Sequence, residues 1–329
     1  MKAIVHTAGA SPAEALQAVE RAVPTLRANG VLVRVKAAAL SAGDTAGFAR
    51  DERGRAPLAA RFAGLIGRGT VPGGELAGIV EAVGADVAHL RPGDEVLACT
   101  GTSGAWAELR RGGRAFGMPQ ARAPVVRAGG PPCPWAASPR WEPCGKAEVE
   151  AGQRVLVYGS SGGVGLFAVQ CAKAAGAHVT GVCSTRNLEA ARMAGAERVI
   201  DYTQEDFAQV EGRYNVIIGA NGCNPLGVYR RLLAAGGTYV AVGDAKQGMA
   251  GLAGPVRSLG SSKRLTWFAF PFAPQASLLA EVTALAAAGA VTPFVEAVYP
   301  LSAAADAVAH VARHHAQGKT VLVNDFSRP

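Results

Sequence analysis

The stretch from residue 154 to residue 183 constrains the fold most. Arg154-Val155-Leu156-Val157-Tyr158 is a short apolar run, the pattern of a strand covered on both faces of a parallel sheet. Gly159-Ser160-Ser161-Gly162-Gly163-Val164-Gly165 follows it directly. Helical spacing then runs from Gly165 to Ala175, and Gly176 stops it. His178-Val179-Thr180-Gly181-Val182-Cys183 is the next strand. A glycine turn alone is an ordinary way to enter a helix. Between a strand and a helix, with a second strand at this distance, it has the context of a dinucleotide-binding turn. Backbone N–H groups without side chains can approach a pyrophosphate, and the helix N-terminus adds partial positive charge. A third glycine, Gly165, lets the helix pack closely against the strand.

The alternation continues. A helix is expected from Asn187 to Ala194 and a strand at 198–200. A further strand covers 214–218, a helix 226–234 and another strand 237–242. This grammar predicts an α/β doubly wound parallel sheet. The first third differs: Val31–Val35, Gly78–Gly84 and Arg91–Leu97 read as short strands and turns, a β-rich and partly closed sheet. A last helix, Ala303–Gln317, precedes the strand 319–323, which has no helix after it. That strand is expected to return to the N-terminal domain. Residues 1–123 and 273–329 would then form one domain and 124–272 the other.

With 329 residues, 49% hydrophobic and 18% charged, the chain has enough apolar material for two cores. No window is apolar for long enough to span a bilayer, so no membrane partner is expected. The N-terminus lacks a secretory apolar core, and six scattered cysteines contain no Cys-x-x-Cys pair, which points to a reducing cytoplasm. The formal charge of +8 raises nucleic-acid binding. Residues 110–146, however, hold seven Lys/Arg against one acid, a net +6 of that total, together with seven of the 19 prolines. The charge is a local anomaly and not a basic face, so no nucleic-acid partner is expected.

The end of the second strand bears on which dinucleotide binds. NAD-type sites place a carboxylate there for the ribose 2′-hydroxyl. Here the chain reads Cys183-Ser184-Thr185-Arg186-Asn187. Two hydroxyls and a guanidinium suit a 2′-phosphate, so NADP(H) is expected over NAD(H). Ser184 or Thr185 can also cap the following helix.

These motifs resemble the medium-chain dehydrogenase/reductase superfamily, in its zinc-free, quinone oxidoreductase-like branch. The resemblance is carried by Gly73–Gly84, Pro92–Val96, Val155–Gly165, Gly181–Asn187, Asp201-Tyr202, Gly236–Thr238, Tyr299–Leu301 and Gly318–Val321. It implies a GroES-like β-rich catalytic domain plus a Rossmann cofactor domain, an active site in the cleft between them, and a homodimer or homotetramer. It also implies that Tyr202 helps hold the 2′-phosphate and that Ala220, Asn221 and Gly243 face the nicotinamide.

Zinc-dependent relatives carry a Cys near position 41 and a His in a Gly-His-Glu triplet. This chain reads Ser41-Ala42-Gly43-Asp44 and Gly73-Gly74-Glu75, and neither Ser nor Gly holds zinc well. His310 and His314 are four apart on the last helix and read as a solvated face. Without a Lewis acid, the natural acceptor is one already activated, a quinone or an α,β-unsaturated carbonyl. Ser41 and Thr45 are candidate donors to the developing oxyanion. Asp44 is better explained by loop hydrogen bonding than by acid catalysis. Trp267, Phe268 and Phe270 line either an apolar substrate wall or a core. A zinc-less alcohol dehydrogenase and an NADP-binding protein without turnover stay open as alternatives.

One stretch breaks the resemblance. Pro131–Gly145 matches nothing in the superfamily, yet its codons shifted by one base permit Ala-Ala-Leu-Pro-Leu-Gly-Gly-Val-Thr-Ala, close to the superfamily's helix there. A pair of compensating frameshifts, or sequencing errors, over about 110–145 is the expectation, and resequencing the gene decides it.

Overall fold

A computed structural model describes residues 1–7, 11–45, 69–100, 103–113, 149–220, 224–242, 260–268, 276–312 and 317–326. Residues 114–148, which hold most of the stretch expected to be frameshifted, lie outside them. The chain divides into two compact units. The first comprises Met1–Pro132, Phe272–Ala288 and Val295–Pro329, and the second Cys133–Pro271 with Gly289–Phe294.

In the first unit, β1 (Lys2–His6) pairs antiparallel with β2 (Leu16–Glu20), joined through the single turn α1 (Pro12–Ala15). A second sheet is built on β3 (Gly30–Leu40), which pairs antiparallel with β4 (Glu75–Val83); β4 in turn pairs with β5 (Glu95–Cys99). β6 (Leu109–Gly113) also pairs with β3. β3 leads into the single turn α2 (Ala42–Thr45). The core of this unit gathers Val33, Val35, Leu76, Val96, Trp106, Val308 and Leu322.

The second unit holds the expected parallel sheet. Its strands are β7 (Arg154–Tyr158), β8 (His178–Cys183), β9 (Arg198–Asp201), β10 (Tyr214–Gly219), β11 (Leu233–Val242) and β12 (Arg264–Phe268). Their spatial order is β12-β11-β10-β7-β8-β9. The chain winds outward from β7 in one direction through β8 and β9, then in the other through β10, β11 and β12. That reversal makes the gap between the carboxyl ends of β7 and β10 the topological switch point, where open α/β sheets bind ligands. β7 is followed by α3 (Gly165–Ala174), β8 by α4 (Leu188–Met193) and β10 by α5 (Leu226–Leu232). Gly176, at φ +81°, ends α3 as expected. Tyr158, Phe207, Tyr229 and Tyr239 form an aromatic cluster, with Tyr158 meeting Phe207 and Tyr229 edge to face and Tyr229 stacked on Tyr239 at 4.4 Å between centroids.

α6 (Ala276–Ala287) precedes β13 (Val295–Pro300), α7 (Ala304–Ala312) and β14 (Lys319–Val323). β14 pairs with β13 on one side and antiparallel with β3 on the other, so the last strand does return to the first unit. The helix expected at 226–234 is shorter. It ends at Leu232, because Leu233 already pairs with Tyr214 in the sheet.

Candidate functional site

The glycine turn is an elbow whose members do different things. Gly159 takes φ +82°, a left-handed value natural only to glycine. The N–H groups of Gly159 and Ser160 both donate to the Val182 carbonyl, at 2.9 and 3.0 Å, which pins the elbow to β8. These two donors are committed to β8. Ser160 and Ser161 are buried, and the Ser161 hydroxyl accepts from Asn187 Nδ2 at 2.9 Å. Gly162 N–H donates back to Gly159 O at 3.2 Å. Among the described residues, no acceptor takes the N–H of Gly163 or Val164 at the head of α3. These are the orphan donors a helix start leaves for an anion. A Cβ on Gly165 would lie 1.9 Å from the Gly159 carbonyl oxygen, so the elbow exists only with glycine there. Ala220 N–H donates to Tyr158 O at 2.9 Å, which sets the end of β10 against the end of β7.

Beyond β8, Ser184 is the N-cap of a short 3-10 turn, Thr185–Asn187, with no side-chain capping bond. Arg186 is exposed. Thr185, expected to face a phosphate, turns its hydroxyl to Asp201 Oδ2 at 2.6 Å. Asp201 also accepts from the hydroxyl and the N–H of Thr203, at 2.6 and 2.9 Å. The hydroxyls of Thr185 and Thr203 hold its carboxyl below the usual range, so it is ionised at neutral pH. Tyr202, 43% exposed, stacks at 6.2 Å on Tyr158. The sequence reading missed Asn187 and Asp201. The available signal was register: Asp201 ends β9 directly beside Cys183, the end of β8.

In the first unit, Ser41-Ala42-Gly43-Asp44 closes a tight turn that carries one half of a capping box, the Asp44 carboxylate reaching back to the Ser41 N–H. Asp44 N–H donates to Ser41 O, while the Asp44 carboxylate accepts from Ser41 N–H and hydroxyl at 2.8 and 2.9 Å. Desolvation pushes this carboxyl up to about 6 against the pull of those two bonds; Glu75 adds to the rise and Lys319 opposes it. Thr45 is buried, which does not suit an open donor. Glu75 on β4 pairs with Lys319 on β14 at 2.9 Å, both buried, across the intervening β3. The superfamily's zinc does not fit this donor set. Ser41 is bound to Asp44, position 74 has no side chain, and Glu75 is neutralised by Lys319. A Cβ on Gly73, which sits at φ +93°, would meet the buried Trp106 ring at 2.2 Å.

His310 is half-buried, and its Nε2 lies 3.7 Å from Glu296. Trp267 and Phe268 fall on β12. Asn221, Gly243, Phe270 and His314 lie outside the described residues.

Comparison with known proteins gives this arrangement its relatives. The model of the alcohol dehydrogenase GroES-like domain matches residues 27–123, and that of zinc-binding dehydrogenase matches 194–322. The mouse NAD(P)H oxidoreductase RTN4IP1, mitochondrial, is 30% identical over 280 residues, 76% of this chain and 69% of the relative. This chain belongs to the medium-chain dehydrogenase/reductase superfamily, in its quinone oxidoreductase-like branch. The superfamily's two halves, GroES-like and Rossmann, are both present. An Arabidopsis thaliana NADPH-dependent alkenal/one oxidoreductase, chloroplastic, is 29% identical, matching 91% of this chain and 73% of its own. The solved structure of the quinone oxidoreductase from Coxiella burnetii has the same fold, with TM-score 0.81 at 24% identity over 98% of this chain and 99% of that one. As a member of this superfamily the chain is an NAD(P)H oxidoreductase. Among the described residues no helix is long and apolar enough to cross a membrane.

Proposed function

We propose that this chain is a zinc-independent reductase that passes hydride from NADPH to a quinone or an α,β-unsaturated carbonyl. The observation that carries the reading is the Gly159–Gly165 elbow at the switch point, with no room for a Cβ at Gly165 and, among the described residues, no acceptor for the N–H groups of Gly163 and Val164. Gly163 and Val164 would receive the pyrophosphate, Arg186 and the Ser184 hydroxyl the 2′-phosphate, and Tyr202 would flank it. Ala220, with Asn221 and Gly243, would border the nicotinamide. When bound, the nicotinamide supplies the hydride. A relative named for NADPH and alkenal/one substrates, and others named quinone oxidoreductase homologues, support the acceptor class.

The chain's own part is binding, orientation and the proton. A reduced carbonyl must gain a proton as well as hydride. The Ser41–Asp44 pair can hold one on its carboxyl near neutral pH, since that carboxyl titrates at about 6. Thr45 keeps a packing role. The donor set at Ser41, Gly74 and Glu75 supports operation without zinc. The reading places the chain in the cytoplasm as a homodimer or homotetramer, and the buried Cys99, Cys171 and Cys183 suit a reducing compartment.

The test is a panel of quinones, enones, alkenals and alcohols, followed by NADPH oxidation or NADP reduction, with zinc content measured on the same sample. NADPH consumption with a quinone or enone by metal-free protein is expected. Turnover of alcohols alone, or only after zinc addition, contradicts the proposal.

A further inference from the structure

The Asp201–Thr185–Thr203 triad carries an inference that rests on the cofactor reading above and goes beyond it. Asp201 is buried, 8% exposed, and ends the strand next to β8. Its carboxylate has only lone pairs to offer. Three oxygen–oxygen contacts link the triad: Thr185 Oγ1 to Asp201 Oδ2 at 2.6 Å, Thr203 Oγ1 to Asp201 Oδ1 at 2.6 Å, and Thr185 Oγ1 to Thr203 Oγ1 at 2.8 Å. Only two hydroxyl protons are available for these three contacts. Whether the Thr185 proton lies toward Asp201 or toward Thr203, it lies inside the triad. A ligand outside the triad meets a Thr185 oxygen that can only accept.

A ribose 2′-hydroxyl can donate to such an oxygen. A 2′-phosphate cannot donate when dianionic, and it also meets the like charge of Asp201. We propose that Asp201 is a specificity-determining residue that restrains the preference for NADPH over NADH by turning the Thr185 hydroxyl inward and placing a fixed negative charge beneath the 2′-position. Arg186 and Asp201 then act in opposite senses on the same group, and the chain accepts both cofactors. The usual carboxylate at the end of the second strand is replaced by one a strand away, acting through a threonine.

The test is calorimetric titration of the full chain with 2′,5′-ADP and with 5′-AMP, which differ only in the 2′-phosphate. Asp201→Asn keeps the size and one acceptor oxygen while removing the charge. Its amide can donate to Thr185, freeing that hydroxyl proton to point outward. The expected result is tighter 2′,5′-ADP binding by about tenfold relative to 5′-AMP, the scale of one hydrogen bond to a charged group. Thr185→Val, which leaves the charge and removes the 2′-hydroxyl's acceptor, is expected to weaken adenosine and 5′-AMP binding while moving 2′,5′-ADP less. It keeps the proposal falsifiable if Asp201→Asn does not fold. Unchanged ratios in the folded variants overturn the inference and leave the cofactor reading standing. Failure of the wild-type chain to bind either nucleotide overturns both.

Discussion

At the residue scale, glycine at 165 and glycine at 227 make a controlled pair. Both sit in the first turn of a helix, where Gly→Ala ordinarily stabilises by up to about 1 kcal/mol. Nothing lies within 4 Å of a Cβ built on Gly227, so Gly227→Ala should be neutral or slightly stabilising in thermal denaturation. At Gly165 the clash with the Gly159 carbonyl dominates. Gly165→Ala should cost about 2 kcal/mol or more and abolish nucleotide binding. Asp44 gives a pH prediction at the same scale. Its folded-state value, about 6, is above the ordinary 3.8, so the native state holds the proton more tightly. The contribution to stability is fully present below about pH 4 and is lost as pH rises through 6. Asp44→Asn, permanently neutral, should remove that fall, leaving the variant more stable than wild type at pH 7 by on the order of 2 kcal/mol in urea titrations. A wild-type stability curve flat from pH 4 to 7 contradicts it. The elbow glycines were legible in the sequence because their spacing is local. The division of labour among them was not, since it depends on Val182, across the strand.

At the element scale, the parallel strands could be read from near-continuous apolar runs with glycine turns between them. Arg154–Tyr158 and His178–Cys183 fall where the pattern placed them. The β1–β2 pair and β13 were missed: β2 is largely exposed and β13 alternates only half-buried with exposed residues, so neither presents a strong pattern. The Glu75–Lys319 pair was also out of reach of the sequence, being 244 residues apart. It ties β4 to β14 over β3 in a dry setting, where losing one partner removes the other's directly hydrogen-bonded counter-charge. Glu75→Gln should destabilise by about 3–5 kcal/mol, and Glu75→Met with Lys319→Met should recover much of that loss. Equal stability of the single and wild-type proteins in denaturant would show that the pair is solvated.

At the scale of the whole molecule, the split order of the chain follows from one strand. Lys319–Val323 pairs with β3 and joins the sheet that contains Gly30–Leu40. The resemblance recognised in scattered motifs extends over nearly the full length in quinone oxidoreductase homologues, 98% of this chain and 98% of an Arabidopsis thaliana relative. What no motif could supply is the meeting of Thr185, Asp201 and Thr203 at the ends of β8 and β9, because it depends on the register of those strands. Every proposed role depends on the elbow cradling the cofactor. A crystal structure of the chain grown with excess NADPH tests it most directly. Density for the diphosphate within hydrogen-bonding distance of the Gly163 and Val164 N–H groups is the predicted result. Nucleotide bound elsewhere, or an elbow left empty at saturating NADPH, contradicts it.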